Sequence, residues 1–273
     1  MKTNGYPLIV SDFDGTLLRS DETIADETLL AIEQYKSSGG HFALCTGRML
    51  SSALSVAKSL GLSGLVACFQ GSVVADIVTE KLIVDGYIPT AGAVEICRFL
   101  EEQNLHYHAY DTYKYYSNKD DEWLHVYERI VRVKAEVIDS QPLSEFVKQQ
   151  QLKARKLLIL LNPDDRTRVY QALEQRFGKD YYVTYSSNFL VEITNKDYSK
   201  ATALEKIADY YGVSVDDTVA VGDSLNDLPM IVRAGLGIAV NNAEAALKEA
   251  ADVTLECSND ENAIGEIIKR YGF

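Results

Sequence analysis

The chain predicts an α/β protein in which a parallel-sheet core domain is interrupted by an inserted α+β domain. Three observations carry that expectation. Short apolar runs alternate with amphipathic stretches from Leu8 to Cys68. The character then changes to Tyr-rich strands between about Val84 and Leu190, and the first style resumes from Lys200. At 273 residues the chain exceeds the commonest domain size of roughly 100 to 150 residues, and no repeat at a fixed period accounts for the excess.

Leu8 to Val10 reads as the first strand, followed by an amphipathic helix with Ala25, Leu29 and Ile32 on one side that stops at Gly39-Gly40, a C-cap signal. Phe42-Ala43-Leu44 is the second strand, Met49 to Leu60 a helix closed by Gly61, and Leu65 to Cys68 the third strand. That βαβαβ order implies parallel pairing. The insert reads as two helix-like stretches, then His106-Tyr107-His108-Ala109-Tyr110 and Lys114-Tyr115-Tyr116. Arg155 to Leu161, Val169 to Phe177 and Tyr181 to Tyr185 then repeat strand, helix, strand. Beyond it, Leu204, Ile207, Ala208 and Tyr211 mark a helix, and Thr218 to Val221 a strand. Leu236 to Val240 follows as a strand, with helices near Ala243–Ala250 and Ala263–Tyr271. Residues 1–84 and 190–273 are therefore expected to share one sheet, with 85–189 inserted.

A formal net charge of −13 argues against a nucleic-acid or anionic-membrane surface. It leaves room for a small anionic substrate, which responds to groups within a Debye length of about 8 Å and to any bound cation. Met1-Lys2-Thr3-Asn4-Gly5 carries no apolar stretch, and no later run approaches the ~18 apolar residues of a spanning helix. Cys45, Cys68, Cys97 and Cys257 form no C-x-x-C pair. The expectation is a cytoplasmic protein with reduced core cysteines, a monomer or small homo-oligomer.

Four short segments sit at strand exits or helix entries: Asp12-Phe13-Asp14-Gly15-Thr16, Thr46-Gly47-Arg48, Lys200, and Gly222-Asp223-Ser224-Leu225-Asn226-Asp227. Strand ends are where open α/β sheets bind ligands. Taken alone, each is ordinary turn or cap chemistry, because Asp, Thr and Gly favour such positions. Together and in this order they offer carboxylates, a hydroxyl and a cation, which suits phosphoryl transfer. Asp12 can attack phosphorus, dividing one hard displacement into two easier ones. Asp14 is then free for proton transfer: a neighbouring carboxylate makes it bind its proton more tightly, and a neighbouring metal ion acts in the opposite direction. Asp223 brings a third carboxylate to a second strand end, and three hard oxygen donors call for Mg²⁺. Gly47 lets backbone amides approach a phosphate oxygen beside Thr46, Lys200 supplies a compact positive charge, and Asn226 can donate a hydrogen bond.

These segments resemble the motifs of the haloacid dehalogenase-like phosphatase superfamily, more closely its Cof-type branch, over nearly the whole chain. Asp12-x-Asp14-Gly15-Thr16, Thr46-Gly47-Arg48, Lys200 and Gly222-Asp223-Ser224-x-Asn226-Asp227 are similar to its four motifs. Ala234-Gly235-Leu236-Gly237-Ile238-Ala239-Val240-x-Asn242-Ala243 is similar to a branch pattern. The resemblance implies a Rossmann-like catalytic core over 1–84 and 190–273 and a large α/β cap over 85–189 that sets substrate specificity. It implies Asp12 as nucleophile, Asp14 as acid/base, and Mg²⁺ held by Asp12, the Asp14 backbone carbonyl and Asp223. Phosphate would be held by Thr46, Lys200 and Asn226 with the Gly47 and Phe13 amides; Asp227 would support Lys200 or the metal shell, and Arg48 of the second motif is a further supporting residue. Two departures stand out: Ala201 follows Lys200 where the branch usually has Gly, and Gln70-Gly71-Ser72 replaces a turn that commonly carries Asn-Gly.

The implied activity is hydrolysis of small phosphomonoesters such as sugar phosphates or phosphorylated cofactors. A phosphomutase or phosphotransferase is the alternative within enzymes. A phosphoacceptor signalling domain gathers similar residues but accepts phosphate on a later strand and needs no such insert. In the insert, His106, Tyr107, His108, Tyr110, Tyr113, Tyr115 and Tyr116 can stack on a sugar or ring, or simply pack the sheet. Arg155 and Lys156 are further anion contacts or surface charges.

Overall fold

The protein, a computed structural model, is described over residues 5–187 and 189–272. Met1 to Asn4, read above as lacking an apolar stretch, lie outside the described residues. In chain order the first part contains β1 (Leu8–Ser11), α1 (Asp26–Ser37), β2 (His41–Cys45), α2 (Leu50–Ser59), β3 (Leu65–Cys68), β4 (Val73–Asp76) and β5 (Leu82–Asp85). Then come α3 (Thr90–Glu102), β6 (His106–Tyr110), β7 (Tyr115–Ser117), α4 (Glu122–Val131), β8 (Glu136–Val137) and α5 (Leu143–Gln149). These are followed by β9 (Lys156–Leu160), α6 (Arg166–Phe177), β10 (Tyr181–Ser187) and β11 (Leu190–Asn195). The chain closes with α7 (Lys200–Tyr211), β12 (Thr218–Gly222), α8 (Leu228–Arg233), β13 (Leu236–Ala239), α9 (Ala245–Ala250), β14 (Val253–Thr254) and α10 (Ala263–Tyr271).

Among the described residues the strands form two sheets, one of eight strands and one of six. The first has the order β14-β13-β12-β1-β2-β3-β4-β5 and is parallel from β14 to β3. Its β1, β3 and β12 are buried at every residue, as expected of a sheet covered on both faces. Helices pack beside it as the pairs α1 with α10 and α7 with α8. The expected α/β class holds. The antiparallel β4 and β5 were not foreseen; their turn is set by Asp76, whose Oδ1 accepts from the Val78 and Thr79 amides at 3.1 and 2.7 Å.

The second sheet has the order β10-β11-β9-β6-β7-β8 and belongs to a separate compact unit, Gly86–Asp197 with Met49–Ser52. A junction expected near Leu190 does not occur there: Leu190 opens β11, which pairs antiparallel with β9 and β10, so this unit runs to Asp197. One helix, α3, precedes β6 in place of the two expected stretches. Strand alternation divides this sheet's residues cleanly. Tyr107, Ala109, Leu157, Ile159, Val191 and Ile193 join α3, α5 and α6 in one apolar core. The opposite face carries His106, His108, Tyr110, Lys156, Glu192 and Thr194, all buried. Among the described residues no helix is long and apolar enough to cross a membrane.

Candidate active site

β1 and β12 lie side by side in parallel register, Ser11 opposite Val221, and the Asp12 amide donates to the Val221 carbonyl at 2.8 Å. From this pair the chain proceeds outward in opposite directions, through β2 and β3 on one side and β13 and β14 on the other. Such a switch point opens a crevice beyond the strand ends, and it is where Asp12 and Asp223 leave their strands. Gly15 turns the chain back at φ +76°; a Cβ there would lie 2.8 Å from Asp223 Oδ2, so both conformation and space require glycine. Thr16 Oγ1 donates to Asp223 Oδ1 at 2.8 Å.

Lys200 enters from α7, whose Ser199 cap and reciprocal Thr202 bond fix the first helical turn. Its Nζ donates to Asp12 Oδ1 and to Asp227 Oδ1, both at 2.5 Å, and the residue is only 1% exposed. Asp227 Oδ2 accepts from the Asp223 and Ser224 amides at 3.0 Å each. Asp227 thus has both oxygens engaged and acts as a brace for Lys200 and for the Asp223 turn.

Burial pushes the Asp12 carboxyl well above the ordinary carboxylate range, against the opposing pull of Lys200. Burial also raises Asp223, with the Thr16 hydrogen bond opposing it. For Lys200 burial disfavours the charge, but Asp12 and Asp227 outweigh it and keep the ammonium protonated. One ammonium therefore faces three carboxylates, and Asp12, Asp223 and Asp227 offer oxygens within 4.8 Å of one another. Two like charges about 4 Å apart repel by about 4 kcal/mol near a protein surface, so the cluster favours a further cation. An all-oxygen donor set fits Mg²⁺ rather than a metal preferring nitrogen or sulfur.

Asp14 departs from the expectation that it neighbours the other carboxylates. Its side chain is half exposed and bidentate to Arg48, Nε to Oδ2 at 2.8 Å and Nη2 to Oδ1 at 2.5 Å. Arg48 also lies 5.2 Å from the centroid of the buried Phe13 ring. Thr46 caps its own turn, Oγ1 accepting from the Arg48 amide at 3.1 Å. At Gly47 a Cβ would meet Gln70 Nε2 at 2.6 Å. Asn226 Oδ1 accepts from Ser224 Oγ at 2.7 Å, and its Nδ2 donates to Gln70 Oε1 at 3.4 Å.

The eight-stranded sheet thus gathers Asp12, Asp223, Asp227 and Lys200 into one cluster, pairs Asp14 with Arg48, and links Asn226 to the turn after β3. Sequence reasoning placed Thr16 and Asn242 only within motif-like patterns and marked Gln70 as a departure that alters a contact near the insert boundary; in the structure Asn242 Nδ2 donates to the Gly15 carbonyl at 2.7 Å. A hydroxyl one residue past the turning glycine was the available signal for Thr16; the contacts of the other two join segments 156 and 227 positions apart and carry no local signal. In the second unit, Arg155 and Lys156 are buried rather than surface charges. Arg155 donates to Thr112 Oγ1 at 2.6 Å and to the Gly86 carbonyl at 2.6 Å, and Lys156 pairs with Glu192 at 3.1 Å. Of the aromatic cluster, Tyr113 is exposed, whereas His106, Tyr107, His108, Tyr110, Tyr115 and Tyr116 are buried in packing.

A family model described as haloacid dehalogenase-like hydrolase matches residues 9–268. The chain belongs to that family. It is 28% identical over 275 residues to the 5-amino-6-(5-phospho-D-ribitylamino)uracil phosphatase YcsE of Bacillus subtilis, covering 97% of this chain and 95% of that protein. Phosphatase YwpJ of the same organism is 28% identical over 290 residues, with 96% and 98% covered. The crystal structure of TM0651 from Thermotoga maritima superposes with a TM-score of 0.88 at 29% identity, covering 98% of each chain. The phosphatase assignment made from the motifs is borne out.

Proposed function

We propose that this phosphatase hydrolyses small-molecule phosphomonoesters, sugar phosphates or phosphorylated cofactors, in the cytoplasm, using Mg²⁺ and an aspartyl phosphate on Asp12. The observation that carries the reading is the position of Asp12: buried, beside Asp223 at the switch point, with one oxygen held by Lys200. The oxygen that Lys200 does not hold attacks phosphorus, and the bond to the leaving oxygen breaks. Asp14, once released from Arg48, gives its proton to that oxygen and later takes one from the water that attacks the Asp12 phosphoryl group. Lys200 neutralises Asp12 while phosphate approaches, and Thr46, Asn226 and the Phe13 and Gly47 amides hold the phosphoryl oxygens. Asp12, Asp223 and the Asp14 carbonyl would hold Mg²⁺, which would supply charge neutralisation and orientation there. The 86–197 unit is assigned to substrate choice. Relatives named for a phosphorylated ribityl compound support a polyol or sugar phosphate as the first substrate class to test.

A phosphate-release assay over metabolite phosphomonoesters tests the reading, with Asp12→Asn and EDTA-treated protein beside the wild type. Asp12→Asn is expected to lower kcat by at least about 10⁴-fold, with its far-UV spectrum and melting unchanged in character. The acid-quenched wild type should carry a phosphoryl group on the peptide containing Asp12. Full turnover by Asp12→Asn rules out the covalent route, and a rate indifferent to EDTA rules out the metal.

A further inference from the structure

Immediately after β3, Phe69, Gln70 and Gly71 follow one another at φ 50°, 58° and 104°. Phe and Gln rarely adopt the left-handed region, and such strain persists only where the surroundings over-determine it. Here they do: the Phe69 amide donates to the Arg48 carbonyl at 3.1 Å and the Gln70 amide to the Thr46 carbonyl at 3.2 Å. On the other side, a Cβ at Gly71 would fall 2.3 Å from the Ser199 carbonyl oxygen. The turn is therefore wedged between the Thr46 loop and the residue that caps the Lys200 helix.

We propose that Gln70 is a positioning residue that joins two arms of the phosphate cradle. Its main chain holds the Thr46 loop, its Nε2 lies over Gly47 where a Cβ would stand, and its Oε1 accepts from Asn226 Nδ2. A primary amide has two N–H donors and one carbonyl. With Ser224 donating to Asn226 Oδ1 and Gln70 taking one N–H, the carboxamide is fixed and a single N–H remains for a phosphoryl oxygen. The left-handed backbone would be better served by Asn or Gly. With Gln the bond to Asn226 already measures 3.4 Å, so a side chain one methylene shorter would fall short of it. The inference rests on Asn226 being a phosphate ligand in the reaction proposed above.

The test measures kcat and KM for a phosphomonoester, and calorimetric affinity for inorganic phosphate, in Gln70→Ala, Gln70→Asn, Asn226→Ala and the double variant Gln70→Ala with Asn226→Ala. Loss of one orienting hydrogen bond is expected to raise KM and weaken phosphate binding by about three- to tenfold in Gln70→Ala, with kcat changed by less than about twofold. Gln70→Asn, which suits the backbone but falls short, should match Gln70→Ala. In the Asn226→Ala background Gln70→Ala should add nothing. Unchanged KM and phosphate affinity in Gln70→Ala, or full multiplication of the two single effects, overturns the proposal. If the wild type releases no phosphate from any ester, the hydrolytic reading fails. The calorimetric cycle still decides the role of Gln70, and a wild type that binds no phosphate overturns both.

Discussion

Two buried lysines divide the chemistry of this chain. Lys200, in the eight-stranded unit, is met by Asp12 and Asp227 at 2.5 Å with Asp223 close behind. Lys156, in the six-stranded unit, is met by Glu192 at 3.1 Å, its one ion-pair partner among the described residues, and lies 4.8 Å from the centroid of the Tyr110 ring. Around Lys156 the Tyr110 and Tyr127 hydroxyls meet at 2.5 Å and His106 and His108 through their Nε2 atoms at 3.2 Å, with His106 also 3.0 Å from Ser117 Oγ and, through Nδ1, 3.0 Å from the Asp121 carboxylate. One cluster pairs its buried lysine with one carboxylate; the other sets three carboxylates against one ammonium, an excess of negative charge that a bound proton or an outside cation relieves. Burial by itself therefore does not mark a working site. A buried charge set that fails to neutralise itself does.

The largest effect expected from that contrast is in Lys200→Met. Removing the ammonium leaves Asp12 and Asp227 buried without their partner, and the cost should reach about 5 kcal/mol, the upper part of the range for breaking a buried pair. Urea denaturation would measure it, and saturating Mg²⁺ should recover more stability in this variant than in the wild type. No greater recovery would mean that the carboxylates do not share a cation. Lys156→Met should cost less, about 3 kcal/mol, because Glu192 is 8% exposed and partly reaches water. The double variant Lys156→Met with Glu192→Leu should regain most of that loss, since a self-neutral pair can be exchanged for apolar packing. A double variant as unstable as the single one would show that the pair is tied into more than itself.

Much of this contrast was legible in one dimension and part was not. Asp12, Asp14 and Asp223 could be placed at strand ends because β1 and β12 are continuous apolar runs ended by turn residues, a local signal. Lys200 could be placed at a helix start but not buried. Its burial depends on Asp227 reaching across 27 positions and Asp12 across 188. The Asp14–Arg48 pair was missed for the same reason, and Gln70 was visible only as a departure at a turn. Leu190–Asn195 misled the boundary because alternation along a strand does not say which sheet it joins, and β4–β5 returned to a sheet expected to continue in parallel. Arg155 and Lys156 looked like surface charges because their partners, Thr112 and Glu192, are distant in sequence.

The smallest effect expected is in pH dependence, and the two clusters should bend it in opposite directions. Asp12 and Asp223 are raised by burial above their ordinary value of 3.8, so in metal-free protein the folded chain binds more protons than the unfolded one from about pH 4 upward. Their contribution to stability is present below that value and is lost as pH rises. His106 and His108 are lowered from 6.5 by burial; Asp121 opposes this at His106, whereas His106 and Lys156 add to it at His108. Here the unfolded chain binds more protons, so stability is lost as pH falls through 6.5. Denaturation midpoints across this range should therefore show two limbs that separate on perturbation. Mg²⁺ requires the ionised carboxylates and should flatten the falling limb that begins near pH 4 while leaving the histidine limb in place. His108→Gln should flatten the limb near 6.5 and leave the response to Mg²⁺ unchanged. If Mg²⁺ flattened both limbs alike, the histidine cluster would have to be coupled to the carboxylates, and the separation of a self-neutral cluster from a charge-demanding one would fail.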